Sequence, residues 1–233
     1  MIRLVTFDLH ETLSCKLPAR PERVALACRA LGIEADPDRF RLGSLRADDF
    51  HTTVNSASPV HRLSAEEGDA YARGFWRAVF SDSDLDLDEE TIRRVGERYG
   101  ATPTRLELFA DSVPALADLR ARGLSLAIVS NTPVDVTDLC AELGLGACFD
   151  VVVSSCVVGH EKPDPRIFQV ALERAGVAPG EALHVGDQPL SDVDGALAAG
   201  MRALLLDREG LRATVTACPR ISSLAEIVHH LGT

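Results

Sequence analysis

From residue 104 onward the sequence alternates between helical and extended patterns, and this alternation restricts the fold more than any other feature. Apolar runs predict strands at 124–129, 151–153, 182–185 and 203–206, and periodic segments predict helices at 113–122, 136–143, 165–175, 192–199 and 223–231. Strands that alternate with helices form crossover units, which give a parallel sheet covered by helices on both faces. The sequence therefore predicts an α/β fold with three layers and a Rossmann-like parallel sheet.

A first strand is predicted at 3–8, and a segment of about 90 residues with a different character separates it from the others. From Pro21 to Arg105 the pattern is helical, without a convincing strand, and helices are predicted at 24–31, 64–80 and 91–99. The second of these begins with a capping box at Ser64 and Glu67. We therefore predict a core formed by 1–15 and 107–233, and an all-helical cap at 16–106 that lies over the strand ends.

The formal net charge of −11 argues against nucleic acid or an anionic membrane as a partner, because phosphate-backbone binding depends on clustered positive charge. No apolar run reaches the ~20 residues that span a bilayer, and the N-terminus leads into a strand without a signal-peptide pattern. We expect a cytoplasmic protein that is a monomer or a homodimer and that acts on a small molecule.

Polar residues follow four of the predicted strands. Asp8 ends the first strand, Ser130 ends the second, Lys162 follows the third after a loop, and Asp187 ends the fourth. Each residue alone has an ordinary explanation as a helix cap or a surface charge, but the four share one edge of the sheet. A carboxylate can attack phosphorus, a hydroxyl and an ammonium can hold phosphoryl oxygens, and paired carboxylates can hold magnesium. Lysine occurs at only two positions in the chain, which indicates that a compact ammonium is required at 162.

Four motifs in this order resemble those of the haloacid dehalogenase superfamily of hydrolases. The matching segments are residues 8–12, the triplet Ser130-Asn131-Thr132, Lys162 within 161–165, and the run from Gly186 to Asp192. The cap inserted after the first motif is similar to the C1-type cap of subfamily I. The resemblance covers nearly the whole chain, although the cap matches only in position and helical character.

The resemblance implies magnesium-dependent hydrolysis of a small phosphorylated metabolite. Asp8 would be the nucleophile that forms an aspartyl-phosphate, and Lys162 would neutralise the transferred phosphoryl group. The other residues implied to bind substrate are Thr12, Ser130 and Asn131. The implied Mg²⁺ ligands are Asp8, Asp187, Asp192 and the main-chain carbonyl of His10.

His10 departs from the family pattern, because phosphatases of this family usually carry an acid–base aspartate two residues after the nucleophile. Imidazole has an unperturbed pKa near 6.5, so His10 could perform the proton transfer itself. Two alternatives remain open: a dehalogenase-like or otherwise altered chemistry, and a weakly active phosphate-binding protein. The glycine that usually follows is Glu11 here, and the sequence does not indicate its effect.

Overall fold

The structure is a computed structural model that describes residues 1–232. Contacts divide the chain into two compact units. The first consists of Met1–Cys15 together with Glu107 and the residues that follow it, and the second is Lys16–Leu106. Within residues 1–232, no helix combines the length and the apolar character that crossing a membrane requires.

The strands and helices are numbered here in chain order. The strands are β1 Leu4–Phe7, β2 Ser14–Leu17, β3 Arg105–Leu108, β4 Ser125–Ser130, β5 Val151–Ser154, β6 Ala182–Gly186, β7 Arg202–Leu206 and β8 Arg220–Ile221. The α-helices are α1 Arg20–Arg29, α2 Arg41–Ala57, α3 Ala65–Phe80, α4 Glu89–Gly100, α5 Ser112–Ala121, α6 Thr137–Glu142, α7 Ser155–Val158, α8 Pro165–Ala175 and α9 Gly195–Ala198.

The first unit contains a six-stranded sheet with the order β5-β4-β1-β6-β7-β8, and all of its pairings are parallel. Alternate residues of each strand enter different hydrophobic clusters, as the two-residue period of a strand requires. Val5 and Phe7 pack on the side of α5, whereas Leu4 packs on the side of α8. Helices therefore cover both faces, and the predicted α/β fold with a Rossmann-like parallel sheet is confirmed.

The second unit contains α1 to α4, and Phe40, Val79 and Val95 contribute to its core. Of these four helices, α2 was not predicted. Its buried residues do not form an apolar stripe, because they are small or polar: Gly43, Ser44, Ala47 and Thr52. The helical periodicity that identifies an amphipathic helix is therefore absent from this segment.

Other differences are local. The predicted helix at 192–199 is instead a π-helical segment, Pro189–Asp194, followed by the short helix α9. The predicted helix at 223–231 is a 3₁₀ segment, Leu224–His230. The strands β2 and β3 were missed because charged residues interrupt their four-residue segments, SCKL and RLEL, so that neither is an apolar run. Strand β8 was missed because it has only two residues.

Helices α2 and α3 approach closely at Gly43, and this contact can be tested. A Cβ at this position would lie 2.0 Å from the carbonyl oxygen of Val79. Gly43→Ala should therefore destabilise the protein by about 1–3 kcal/mol, the usual cost of overpacking. Gly68→Ala is the matched control, because nothing lies within 4 Å of its added Cβ, and alanine should stabilise the helix by up to about 1 kcal/mol. The urea concentration at the midpoint of unfolding measures the stability of both variants. Equal midpoints for Gly43→Ala and Gly68→Ala would contradict the close approach of α2 to α3.

Candidate active site

The polar residues that follow the strands lie at one edge of the sheet. β1 lies between β4 and β6, and its last residue pairs in register with residues of both neighbours. Asp8, Ser130 and Asp187 therefore occupy the carboxyl ends of three adjacent strands. Lys162 lies beyond β5 and α7. This edge is where open α/β sheets bind their ligands.

The ammonium of Lys162 joins two carboxylates in the interior. Its Nζ donates hydrogen bonds to Oδ1 of Asp8 and to Oδ1 of Asp192, each at 2.6 Å. The side chain of Lys162 is 3% exposed, and that of Asp192 is 1% exposed. Oδ2 of Asp8 accepts no hydrogen bond from residues 1–232. The buried ammonium of Lys162 thus pairs with two carboxylates, and Oδ2 of Asp8 remains available to a ligand.

The charges of this trio follow from burial and from mutual attraction. Burial lowers the pKa of Lys162, but Asp192 and Asp8 outweigh it and leave that pKa raised. Burial raises the pKa of Asp192, yet Lys162 and a hydrogen bond from His184 bring it below its ordinary value. The pKa of Asp8 is raised by burial, with Lys162 opposing and Asp192 adding to the shift. Asp8 is therefore the group that a further cation would help to keep ionised.

Asp192 is held on several sides. Its Oδ1 accepts from Lys162 and lies 3.3 Å from Nε2 of His184, and its Oδ2 accepts from the backbone N–H of Gln188 at 2.9 Å. A Cβ at Gly186 would lie 2.2 Å from Cγ of Asp192, so only glycine fits beside this carboxylate. Both oxygens of Asp192 thus accept hydrogen bonds from protein donors, and the Mg²⁺-ligand role that the family resemblance implies for it stays a prediction.

Asn131 and Ser130 differ in their partners. The amide of Asn131 donates to the carbonyl of Lys162 at 2.8 Å, and its Oδ1 accepts from the Lys162 N–H at 2.7 Å. Asn131 therefore fixes the main chain that carries the ammonium. In contrast, the hydroxyl of Ser130 is buried and has no partner among residues 1–232. An unpartnered buried hydroxyl costs about 1–3 kcal/mol, which a ligand oxygen could offset.

Thr12 connects the first motif to Asp187. Its Oγ1 donates to Oδ1 of Asp187 at 3.3 Å, and its carbonyl accepts from Nη2 of Arg208 at 2.9 Å. Asp111 holds the guanidinium of Arg208 with two hydrogen bonds, at 2.9 and 3.0 Å. Thr12 thus orients a carboxylate of the site, and Arg208 in turn anchors Thr12.

Nothing in the sequence places Arg208 or Asp111 in this site, because the two residues are 97 positions apart and belong to no shared motif. His184 was also missed. A histidine within the otherwise apolar strand Ala182–Gly186 is a signal that could have indicated it.

The residues at this edge fit magnesium through their oxygen atoms. The oxygens that would hold the ion belong to the carboxylates of Asp8 and Asp187 and to the carbonyl of His10, and Mg²⁺ prefers such hard oxygens. Among residues 1–232, no group of three or more His, Cys, Asp or Glu side chains is arranged to hold a metal ion. The donor set therefore suits an ion that takes two carboxylates and one main-chain carbonyl from the protein and its other ligands from substrate and water.

The turn after Asp8 carries His10, which is half-buried, and Glu11, which is exposed. Glu11 has a φ of 59°, in the left-handed region that costs a non-glycine residue about 1–2 kcal/mol. Its backbone N–H donates to the carbonyl of Ser14 at 2.6 Å, which closes the turn. The glycine that the family usually has at this position would adopt the same conformation without this cost.

Comparisons with known proteins identify the family. The model described as haloacid dehalogenase-like hydrolase matches residues 2–200. This chain is a haloacid dehalogenase-like hydrolase. The resemblance drawn from the four motifs is thereby confirmed, and so is the prediction of a hydrolase.

Relatives of this hydrolase differ in their reactions. It is 40% identical over 229 residues to the phosphoserine phosphatase of Thermus thermophilus, with 91% of this chain and 90% of the relative aligned. A solved structure of a HAD phosphatase from Thermococcus onnurineus is 30% identical, with a TM-score of 0.58 over 99% of this chain and 98% of that one. A 2-haloacid dehalogenase from Pseudomonas syringae is 28% identical, with a TM-score of 0.57 and the same shares covered.

The strain at Glu11 leads to a stability prediction. Glu11→Gly should be more stable than Glu11→Ala by about 1 kcal/mol, because both variants lose the side-chain contacts but only glycine removes the left-handed penalty. Urea unfolding of the two variants measures the difference. If the alanine variant were equally stable, the left-handed turn would carry no cost.

Proposed function

We propose that this hydrolase cleaves a small phosphomonoester through an aspartyl-phosphate formed on Asp8. The observation that carries the proposal is the available Oδ2 of a buried carboxylate whose other oxygen is bound by Lys162. Phosphatases among the relatives, at 40% and 30% identity, support a phosphorylated metabolite as the substrate.

In the first step, Oδ2 of Asp8 attacks phosphorus, and the bond from phosphorus to the leaving oxygen breaks. The ammonium of Lys162 and the hydroxyl of Ser130 donate hydrogen bonds to the non-bridging oxygens, where negative charge is concentrated. Fixed donors in a partly buried site stabilise such charge without reorganisation. In the second step, water attacks phosphorus, inorganic phosphate leaves, and the carboxylate of Asp8 is restored.

We assign proton transfer to His10, two residues after the nucleophile. A protonated imidazole donates a proton to the leaving alcohol, and the neutral ring then accepts a proton from the attacking water. The same residue therefore serves both steps, and the ring returns to its starting state at the end of each cycle.

We infer that magnesium is the cofactor, held by Asp8, Asp187 and the carbonyl of His10. When bound, the ion neutralises charge on the phosphoryl oxygens and on the nucleophile. Asp192 has a different role in this proposal, because it orients Lys162. We further propose that residues 16–106 form the cap, since they are inserted directly after the first motif and make a compact unit of their own.

Halide displacement is the second candidate, and His10 is the observation that favours it. The carboxylate of Asp8 would attack the carbon that carries the halogen, and halide would leave without needing a proton. This chemistry gives no role to the acidic residue Asp187 or to the hydroxyl of Thr12 that holds it. Release of halide from a 2-haloacid without magnesium, together with no release of phosphate from phosphomonoesters, would replace the phosphatase proposal.

Asp8→Asn tests the nucleophile. The amide is nearly isosteric but cannot attack phosphorus, so phosphate release from a panel of phosphomonoesters should fall to background. Asp118→Asn is a matched control, because Asp118 is about half exposed and pairs with Arg122 on α5, and it should keep full activity. Excess chelator should abolish the wild-type activity, and added Mg²⁺ should restore it. Substantial turnover by Asp8→Asn, or full activity in chelator, would contradict the assignment.

His10→Ala tests the proton transfer. With an alkyl phosphate, whose leaving group needs a proton, the rate should fall by about 10²–10⁴-fold. An aryl phosphate with a stable leaving anion should be much less sensitive in the bond-breaking step. His10→Asp should retain activity with a pH profile displaced toward acid, because a carboxyl group titrates at lower pH than imidazole. Equal losses on both substrates in the bond-breaking step, measured as leaving-group release in a single turnover, would show that His10 does not act on the leaving group.

A further inference from the structure

His184 is a buried polar residue to which the proposed mechanism gives no task. It lies in β6, its side chain is fully buried, and its ring meets the edge of Phe168 with centroids 4.9 Å apart. Both ring nitrogens have partners. Nδ1 is 2.7 Å from Oγ1 of Thr6, and Nε2 is 3.3 Å from Oδ1 of Asp192.

The partners determine which nitrogen carries the proton. Oδ1 of Asp192 already accepts from the ammonium of Lys162, and a carboxylate can only accept. Nε2 of His184 must therefore be the donor. In a neutral imidazole Nδ1 is then an acceptor, and the hydroxyl of Thr6 is placed to donate to it. The hydrogen-bond chain runs in one direction, from Thr6 through His184 to Asp192.

The carboxylate at the end of this chain has little freedom. The backbone N–H of Gln188 binds its other oxygen, and the missing side chain of Gly186 leaves just enough room for it. The ammonium of Lys162 lies between Asp192 and Asp8, at 2.6 Å from each. Any rotation of Asp192 would therefore move Lys162 relative to the nucleophile.

We propose that His184 is a positioning residue that holds Asp192, through an Nε2–H donor, in the orientation that directs Lys162 at Asp8. The effect of His184 on the reaction rate rests on the proposed attack by Asp8. The direction of the hydrogen bond from His184 to Asp192 does not depend on that proposal. Removing a hydrogen-bond partner that orients a functional side chain typically lowers activity by about 10–100-fold.

The first test measures the tautomer directly and needs no turnover. In ¹⁵N-histidine-labelled protein, the signal that disappears in His184→Gln belongs to His184. It should show a protonated Nε2 and an unprotonated Nδ1, both in the wild type and in the inactive Asp8→Asn variant. A protonated Nδ1 with a bare Nε2 would overturn the proposal. If neither the wild type nor any variant showed phosphatase activity, the proposed function would be rejected. The tautomer measurement would still test the role of His184.

The second test separates positioning from packing. His184→Leu keeps an apolar side chain but has no donor, and kcat should fall by about 10-fold or more. His184→Gln carries an amide donor at nearly the place of Nε2, and it should keep kcat within about threefold of the wild type. Urea midpoints of both variants report any loss of stability. Equal kcat in the leucine variant and the wild type would overturn the proposal, and so would equal losses in both variants.

Thr6→Val is the variant to use if His184→Leu does not fold. It retains the imidazole and removes only the hydroxyl that donates to Nδ1. Nε2 should stay protonated, because Asp192 can only accept, but the ring loses one of its two anchors and kcat should fall several-fold. An unchanged kcat would show that Thr6 does not orient the ring, and a proton that moved to Nδ1 would show that Asp192 does not fix the tautomer; either result would refute the directed chain.

Discussion

The arrangement of the site depends on one buried ammonium shared by two carboxylates. Removing charges from water is costly, and deleting one member of a buried ion pair typically costs about 3–5 kcal/mol because its partner stays charged and uncompensated. The three groups come from distant parts of the chain: Asp8 follows the central strand, Lys162 lies beyond β5, and Asp192 lies beyond β6. The cluster can form only when these strands are in register, so the pairing of the sheet and the charge balance of the site support each other.

The groups that hold the site together make their hydrogen bonds within the protein, whereas the groups available to react have atoms without such bonds. Asn131 is bonded to the main chain of Lys162 through both ends of its amide, and both oxygens of Asp192 have protein donors. In contrast, the hydroxyl of Ser130 and Oδ2 of Asp8 have no partner among residues 1–232. Leaving the buried hydroxyl of Ser130 unpaired costs stability, and such costs are typical of sites that a ligand completes. This hydroxyl and Oδ2 of Asp8 lie at the ends of adjacent strands, where one phosphoryl group could contact both.

The sequence was sufficient for the features that are encoded locally. Apolar runs ending in polar residues located the central strands and the positions of Asp8, Ser130 and Lys162, because the two-residue period and the strand ends are visible in a short window. Contacts between distant segments leave no such pattern, so the pairing of Arg208 with Asp111 could not be foreseen. The motif placed Asp192 in the site, but only the structure shows that protein donors occupy both of its oxygens. Helix α2 was missed because small and polar residues form its buried face.

The position of β1 in the sheet has a consequence for synthesis of the chain. β1 is synthesised before the other strands of its sheet, and its neighbour β6 lies 178 positions later, as the contact between Thr6 and His184 shows. At typical translation speeds of about 5–20 residues per second, this apolar strand waits roughly 10–40 s for that partner. Residues 16–106 are continuous in the chain and can complete their own contacts in the meantime. Long-range pairing of this kind favours slow folding, and one edge of the strand that precedes the nucleophile has no partner until β6 has been synthesised.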